Sequence, residues 1–296
     1  MIGEFLNVAF EVTYIIFMVG NLAGMGLQLA IADAIVPLRS PRFVLVTLLI
    51  CFVFGPIFAY AITLVVPMAR PYVVGMLLGG LAPSAPYLPL TVQIARGDLA
   101  AAASLMLLAA AGTVAIMVAG VPFVAPDLSV NAWSVAKPLL FLMLIPLAVG
   151  LLIKHRWPAL ADKLYPPVKI ITNIGTVLFL VVAVALHYEL MLGAVGSGAF
   201  TAQMLFAAGL ALGGYWLTPG LSRERKIVLS LASCSRNAGA PFAVIGAGGD
   251  HKIVVMLIIG IFVSPVHSSL RPGSAKKWAR RESAMPTSDQ CHRTAP

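Results

Sequence analysis

Long apolar runs separated by short polar breaks fill most of this chain. An apolar run of about 20 residues in helical conformation crosses a hydrocarbon core of about 30 Å. The pattern predicts nine such spans, near 5–30, 43–66, 72–95, 98–122, 132–153, 166–188, 196–218, 226–248 and 252–267. The breaks hold turn residues and charge: "PLRSPR", "PMARP", "RGD", "VAPDLSVN", "KHRWPALADK", "HYELMLGAVGSG", "TPGLSRERK" and "GGDHK". The predicted fold class is all-α, a polytopic membrane protein. Its transmembrane domain covers 1–267, followed by a tail at 268–296.

Two of the predicted spans are interrupted. In "GMLLGGLAPSAPYLPLTVQIARGD" (75–98), Pro83, Pro86 and Pro89 fall inside the apolar run. A helix-interior proline removes a backbone hydrogen bond and clashes with the preceding turn, at a cost of roughly 3 kcal/mol. In "VLSLASCSRNAGAPFAVIG" (228–246) the run is broken by small polar residues, an arginine, glycine and proline. There Asn237 can cap a restarting helix, and Pro241 suits its first turn.

Composition supports the membrane reading. The chain is 60% hydrophobic and only 10% charged, where a soluble domain carries about 25% charge. The start, "MIGEFLNVAFE", has no basic n-region, so a cleaved signal peptide is not expected. Cys51, Cys234 and Cys291 have no metal-site or disulfide spacing. The histidines, His155, His187, His251, His267 and His292, read as ordinary interfacial residues. "GNLAGMG", with Gly20 and Gly24, reads as small-residue helix packing.

The net charge of +9 is sided. With loops numbered alternately, one side holds Arg39, Arg42, Arg96, Lys154, Arg156, Lys163, Arg223, Arg225, Lys226 and the tail's basic residues. The other side holds little beyond Arg70 and Lys252. Lys and Arg collect in cytoplasmic loops. The expected placement is therefore a cell inner (plasma) membrane, N-terminus outside and C-terminus cytoplasmic. The basic tail reads as a cytoplasmic flank, and nucleic acid is not an expected partner.

On that orientation the two interrupted spans run in opposite directions. The chain then divides into inverted-topology repeats, about 5–122 and 132–267. Gly/Pro-interrupted segments at corresponding places of two inverted halves point to a transporter binding site. Irregular backbone at membrane depth is tolerated where it is buried in protein or lines a water-filled cavity. The candidate substrate-binding residues are Ser84, Ala85, Tyr87 and Leu88 in the first interruption and Arg236, Asn237 and Ala238 in the second. Their backbone amides would meet an anion at half-helix N-termini. The competing account is that both are merely kinked packing helices. Arg236, the only basic residue deep in a predicted span, would bind a carboxylate or sulfonate; alternatively it pairs with Glu11 or snorkels.

At these residues a family pattern is visible. "FMVGNLAGMGLQLA" (17–30), "APSAPYLPLTVQIARGDLAAAASLM" (82–106) and "SLASCSRNAGAPFAV" (230–244) resemble the bile acid:sodium symporter family. The resemblance extends through residue 267. It implies a core and a panel domain, two discontinuous helices crossing in the core, and sodium-driven uptake of an organic anion. It also places the family's sodium-site positions at Leu88, Pro89 and Ala232, and at Cys51 and Arg236-Asn237 where the family has glutamine and Gln-Asn. Leu88, Pro89 and Ala232 offer no side-chain oxygen, so no metal is expected and sodium coupling is not expected to transfer.

The functional expectation is a secondary active transporter of a small organic anion with alternating access, with no cofactor. The alternatives are the same fold coupled to protons or exchange, an intramembrane enzyme, and a non-transporting receptor or scaffold. No H-E-x-x-H, Walker loop or paired membrane aspartates support an enzyme. The polar, basic, Pro-rich tail "SSLRPGSAKKWARRESAMPTSDQCHRTAP" is expected to be disordered, and an altered reading frame there is a further possibility the sequence raises.

Overall fold

A computed structural model describes residues 2–126, 131–245 and 250–269. Of the expected tail, 268–269 end the last helix, and the rest of the tail expectation, 270–296, lies outside these residues. Every named element among them is a helix. α1 is Ile2–Gln28; α2 is Ile31–Leu38; α3 is Pro41–Val65; α4 is Arg70–Leu81; α5 is Leu88–Ile94; α6 is Leu99–Val124. They are followed by α7, Ala132–Arg156; α8, Pro158–Gly193; α9, Ala199–Trp216; α10, Arg223–Cys234; α11, Gly239–Ile245; and α12, His251–Ser269.

The polar breaks start helices. Ser40 accepts from the Phe43 amide, with Pro41 in the first turn. Asp98 caps α6 through the Ala101 amide at 3.0 Å, and Asn131 caps α7 through the Ser134 amide at 2.7 Å. Ser222 caps α10 through Arg225. Each side chain satisfies an amide that the first helical turn leaves without a partner.

Among the described residues five helices, in α1, α3, α6, α7 and α8, are long and apolar enough to cross a membrane. Along α8, Ile170, Ile171, Ile174, Val177 and Val181 are all exposed on its outer surface. An apolar stripe of that length fits lipid and not water. The chain is a multi-pass membrane protein.

Two details differ from the sequence pattern. Residues 31–38 form a separate short helix, α2, although Pro37 lies inside it. The break "KHRWPALADK" is largely helical: α8 starts at Pro158, and a first-turn proline forfeits no hydrogen bond.

Within the bundle, α1 packs on α8 and α7, α9 on α10, α12 on α4, and α2 on α6. The α1–α7 contact needs two glycines. A Cβ on Gly26 would come within 2.9 Å of Gly150 Cα and 2.8 Å of the Leu151 backbone nitrogen. Gly20 faces Thr172 of α8 so closely that a Cβ would collide with it. Both α3 and α7 contain a π-helical turn, at Leu49–Phe54 and Leu140–Leu144. Each precedes a proline, Pro56 or Pro146, whose missing N–H breaks the regular ladder.

Candidate functional site

The two interruptions, residues 82–87 and 235–238, lie against each other. Ser84 N–H donates to the Ala232 carbonyl at 3.1 Å, Ala85 N–H to Ser235 at 3.1 Å, and Asn237 N–H to Ala82 at 2.9 Å. Pro83 and Arg236 face each other as an antiparallel bridge. Backbone groups inside a membrane need partners within the protein, and here each broken helix supplies partners for the other.

That pairing corrects one sequence expectation. The amides of Ser84 and Ala85 do not face a ligand space; they hold the crossing together. The Leu88 amide donates to Ala85 O at 3.1 Å and the Ala238 amide to Arg236 O at 3.1 Å. Asn237 is not a side-chain cap either. Its Nδ2 points to Met143 Sδ at 4.0 Å, and its buried Oδ1 has no partner. The crossing was expected from the resemblance; what the sequence did not show is that the two interruptions use up each other's backbone groups.

Two flanks of the crossing differ. On one flank lies a cavity of about 490 Å³ walled by α1, α5, α8 and the start of α6. Tyr87, Pro86 and Pro89 form its wall at the interruption. Opposite them α8 presents Tyr165, Lys169, Thr172 and Asn173, and α1 presents Asn21 and Gln28. Lys169 Nζ sits 5.4 Å from the centre of the Tyr165 ring. Asp33, in the first turn of α2, also borders the cavity. A void of about 10 Å³ touches Ser84, Asn237 and Met143 and shares Met25 and Pro86 with the large cavity. That volume is roughly one water molecule. Ser84 Oγ, like Asn237 Oδ1, is buried there without a partner, and Ser84 has φ 65°, a left-handed conformation uncommon outside glycine.

The other flank is closed. Arg236 Nη2 donates to the Gly80 carbonyl at 2.8 Å, at the C-terminal end of α4. Its guanidinium carbon lies 5.2 Å from the centre of the Phe206 ring on α9. Nε and Nη1 are buried without partners. A Cβ on Gly55, just after the π-helical turn of α3, would collide with the guanidinium. Glu11 is exposed on α1 and forms no ion pair with Arg236 among the described residues. Arg236 borders neither cavity.

Of the candidate residues, then, Tyr87 reaches the large cavity, and Ser84 and Asn237 reach the small void. Ala85, Leu88 and Ala238 are packed in the crossing, and Arg236 is turned away. The positions assigned to sodium by resemblance divide similarly: Leu88 and Ala232 are fully buried, and Pro89 lines the cavity. The α8 wall went unnoticed in the sequence. Its signal was there: Tyr165, Lys169, Thr172 and Asn173 recur at intervals of three and four on a mainly apolar helix, so they share one face.

Helices with apolar outer faces, two interruptions meeting in the bundle and a cavity ending on the first of them are features that suit a membrane transport protein. Residues 15–194 match the sequence model of the Sodium Bile acid symporter family, and the chain belongs to that family. The matched part contains the first interruption and every residue lining the large cavity, and it ends before the second interruption. No individual curated protein matches the chain.

Proposed function

We propose that the protein is a secondary active transporter that moves a small organic anion by alternating access. The cavity carries this reading. At about 490 Å³ it is within the roughly 300–1,000 Å³ of small-molecule sites, and it ends on the first broken helix, with the second behind it across the small void. Its α8 wall combines one cation with hydroxyl and amide donors. Asp33 lies in the first turn of α2, where a carboxylate favours its own helix N-terminus. Tyr87 and Lys169 are assigned to substrate contact, with Ser84 and Asn237 at the inner end.

The architecture that goes with this function is nine transmembrane passes in two inverted repeats, with α4–α5 and α10–α11 as the discontinuous pair. The N-terminus is outside and the C-terminus cytoplasmic in a plasma (inner) membrane. Cysteine labelling tests that orientation: positions 154–163 and 223–226 label from the cytoplasm and 125–131 from outside, and the reverse pattern refutes it.

Sodium is not the coupling ion in this proposal. Leu88 and Ala232 bring only apolar side chains, and the Ala232 carbonyl already accepts from Ser84. Arg236 places a fixed positive charge at the C-terminal end of α4, where the helix dipole favours a cation. The first experiment is a thermal-shift screen of purified protein against organic anions, in sodium and in choline buffer. A stabilising anion with equal effect in both buffers supports the reading. Stabilisation only in sodium removes the fixed-charge account, and stabilisation by no anion favours a receptor or scaffold.

A further inference from the structure

Two of the histidines that look interfacial in sequence meet away from the crossing. His187 of α8 is buried, and its ring lies 5.2 Å from that of His251, the first residue of α12. His187 Nε2 is 3.1 Å from His251 Nδ1, and His187 Nδ1 is 3.0 Å from the Ala183 carbonyl. The backbone of α8 leaves helical geometry at His187, with φ −119° and ψ 15°.

The proton count follows from these contacts. A carbonyl only accepts, so His187 Nδ1 carries a hydrogen. The Nε2···Nδ1 contact then needs one hydrogen between its two nitrogens. With both rings neutral, His251 donates to His187. With one added proton either ring donates to the other. With two added protons, two N–H groups oppose each other at hydrogen-bond distance and the contact fails.

We propose that the His187–His251 pair is a proton-binding site that ties the end of α8 to the start of α12 and releases it when doubly protonated. Histidine is the side chain that gains its charge under mildly acidic conditions, so the tie weakens as the pH falls. As a coupling device the pair rests on the transporter reading; as a proton site it does not.

The charged and titratable groups at this end of the packed helices are Glu4 and Glu11 on α1, Arg70 and Tyr72 on α4, Tyr188 and Glu189 on α8, and Asp250 and Lys252 beside His251. Tyr188 donates to Glu189 at 2.9 Å, and Asp250 accepts from the Lys252 amide at 2.8 Å. The α1 face against His187 is the Phe10 ring, at 5.9 Å. Within its residue range α9 brings no ionisable group to this end.

Spin labels at Leu192→Cys and Lys252→Cys, both exposed, read the separation of α8 and α12 in a Cys291→Ser background without substrate. Cys51 and Cys234 are buried. The expected result is one short distance at about pH 8 and a shift to a longer one at about pH 5. His251→Ala should give the longer distance at both pH values. His187→Gln, which keeps a hydrogen-bonding group but never a second charge, should hold the short distance at both. An unchanged distance in the parent, or a pH shift that survives His251→Ala, overturns the proposal. His251 is exposed, so its variant decides even if His187→Gln does not fold. No substrate is present, so the outcome is independent of whether an organic anion is carried.

Discussion

The two flanks of the helix crossing are built from the same interruptions and do opposite things. Toward α1 and α8 the crossing faces a cavity of about 490 Å³ with an amide- and hydroxyl-rich wall. Toward α3 and α9 it is filled by the Arg236 guanidinium, held by a single carbonyl and an aromatic ring. The deepest cation in the sequence is thus a packing element, and the cation suited to a ligand is Lys169, near the start of α8. What separates them is what each can reach. A guanidinium locked against Gly55 and Gly80 has no room for a carboxylate, whereas an exposed lysine on a cavity wall can approach one.

Substitutions on the two flanks can break this comparison. The largest effect is expected from Gly55→Ala. Its Cβ would overlap a guanidinium that cannot swing into solvent. Overpacking of this kind costs roughly 1–3 kcal/mol, against about 1 kcal/mol gained in helix propensity. Thermal unfolding should show a clear loss, reduced in an Arg236→Met background because the overlap is gone. Gly24→Ala on the cavity flank is the control. Its Cβ would meet Val168 at an ordinary 3.8 Å, so the unfolding midpoint should hold or rise. Equal losses at both glycines would mean that the Arg236 flank is not the tighter one.

Next in size is ligand affinity. Lys169→Gln should weaken a bound organic anion about tenfold, or about 1.4 kcal/mol, while Arg236→Gln should change it less than about twofold. The reverse ranking in a calorimetric titration would return the anion site to the second interruption.

A smaller effect is expected at Asp98. One carboxylate oxygen caps α6 and the other accepts from Arg225 Nε of α10 at 3.2 Å, joining the elements that lead away from and into the two interruptions. Asp98→Ala removes a cap worth about 1 kcal/mol and a half-exposed ion pair of at most about 1 kcal/mol. The unfolding midpoint should fall by less than for Gly55→Ala, with ligand affinity unchanged.

Much of this molecule could be read from local chemistry. Proline and glycine act on their own backbone, so Pro83, Pro86, Pro89 and the "NAGAP" stretch marked both interruptions. The breaks that hold Ser40, Asp98 and Ser222 were visible too, and the structure adds that these three side chains cap the helices that follow. What the sequence hid is tertiary. The amides of Ser84 and Ala85 looked available because their acceptors, Ala232 and Ser235, lie far along the chain. The direction of Arg236 depends on the missing side chain of Gly55, also remote in sequence. Lys169 sits close to a predicted span boundary, and its partners on the cavity wall come from four other helices. The paired histidines stayed hidden because 187 and 251 touch only once α8 and α12 are packed.

The most direct test of the transporter account is flux. Purified protein in liposomes is given a panel of radiolabelled organic anions with sodium outside, then with sodium replaced by choline. The account predicts protein-dependent uptake of at least one anion, changed less than about twofold by the replacement and lowered about tenfold by Lys169→Gln. No protein-dependent uptake of any anion, or uptake indifferent to Lys169, would contradict it.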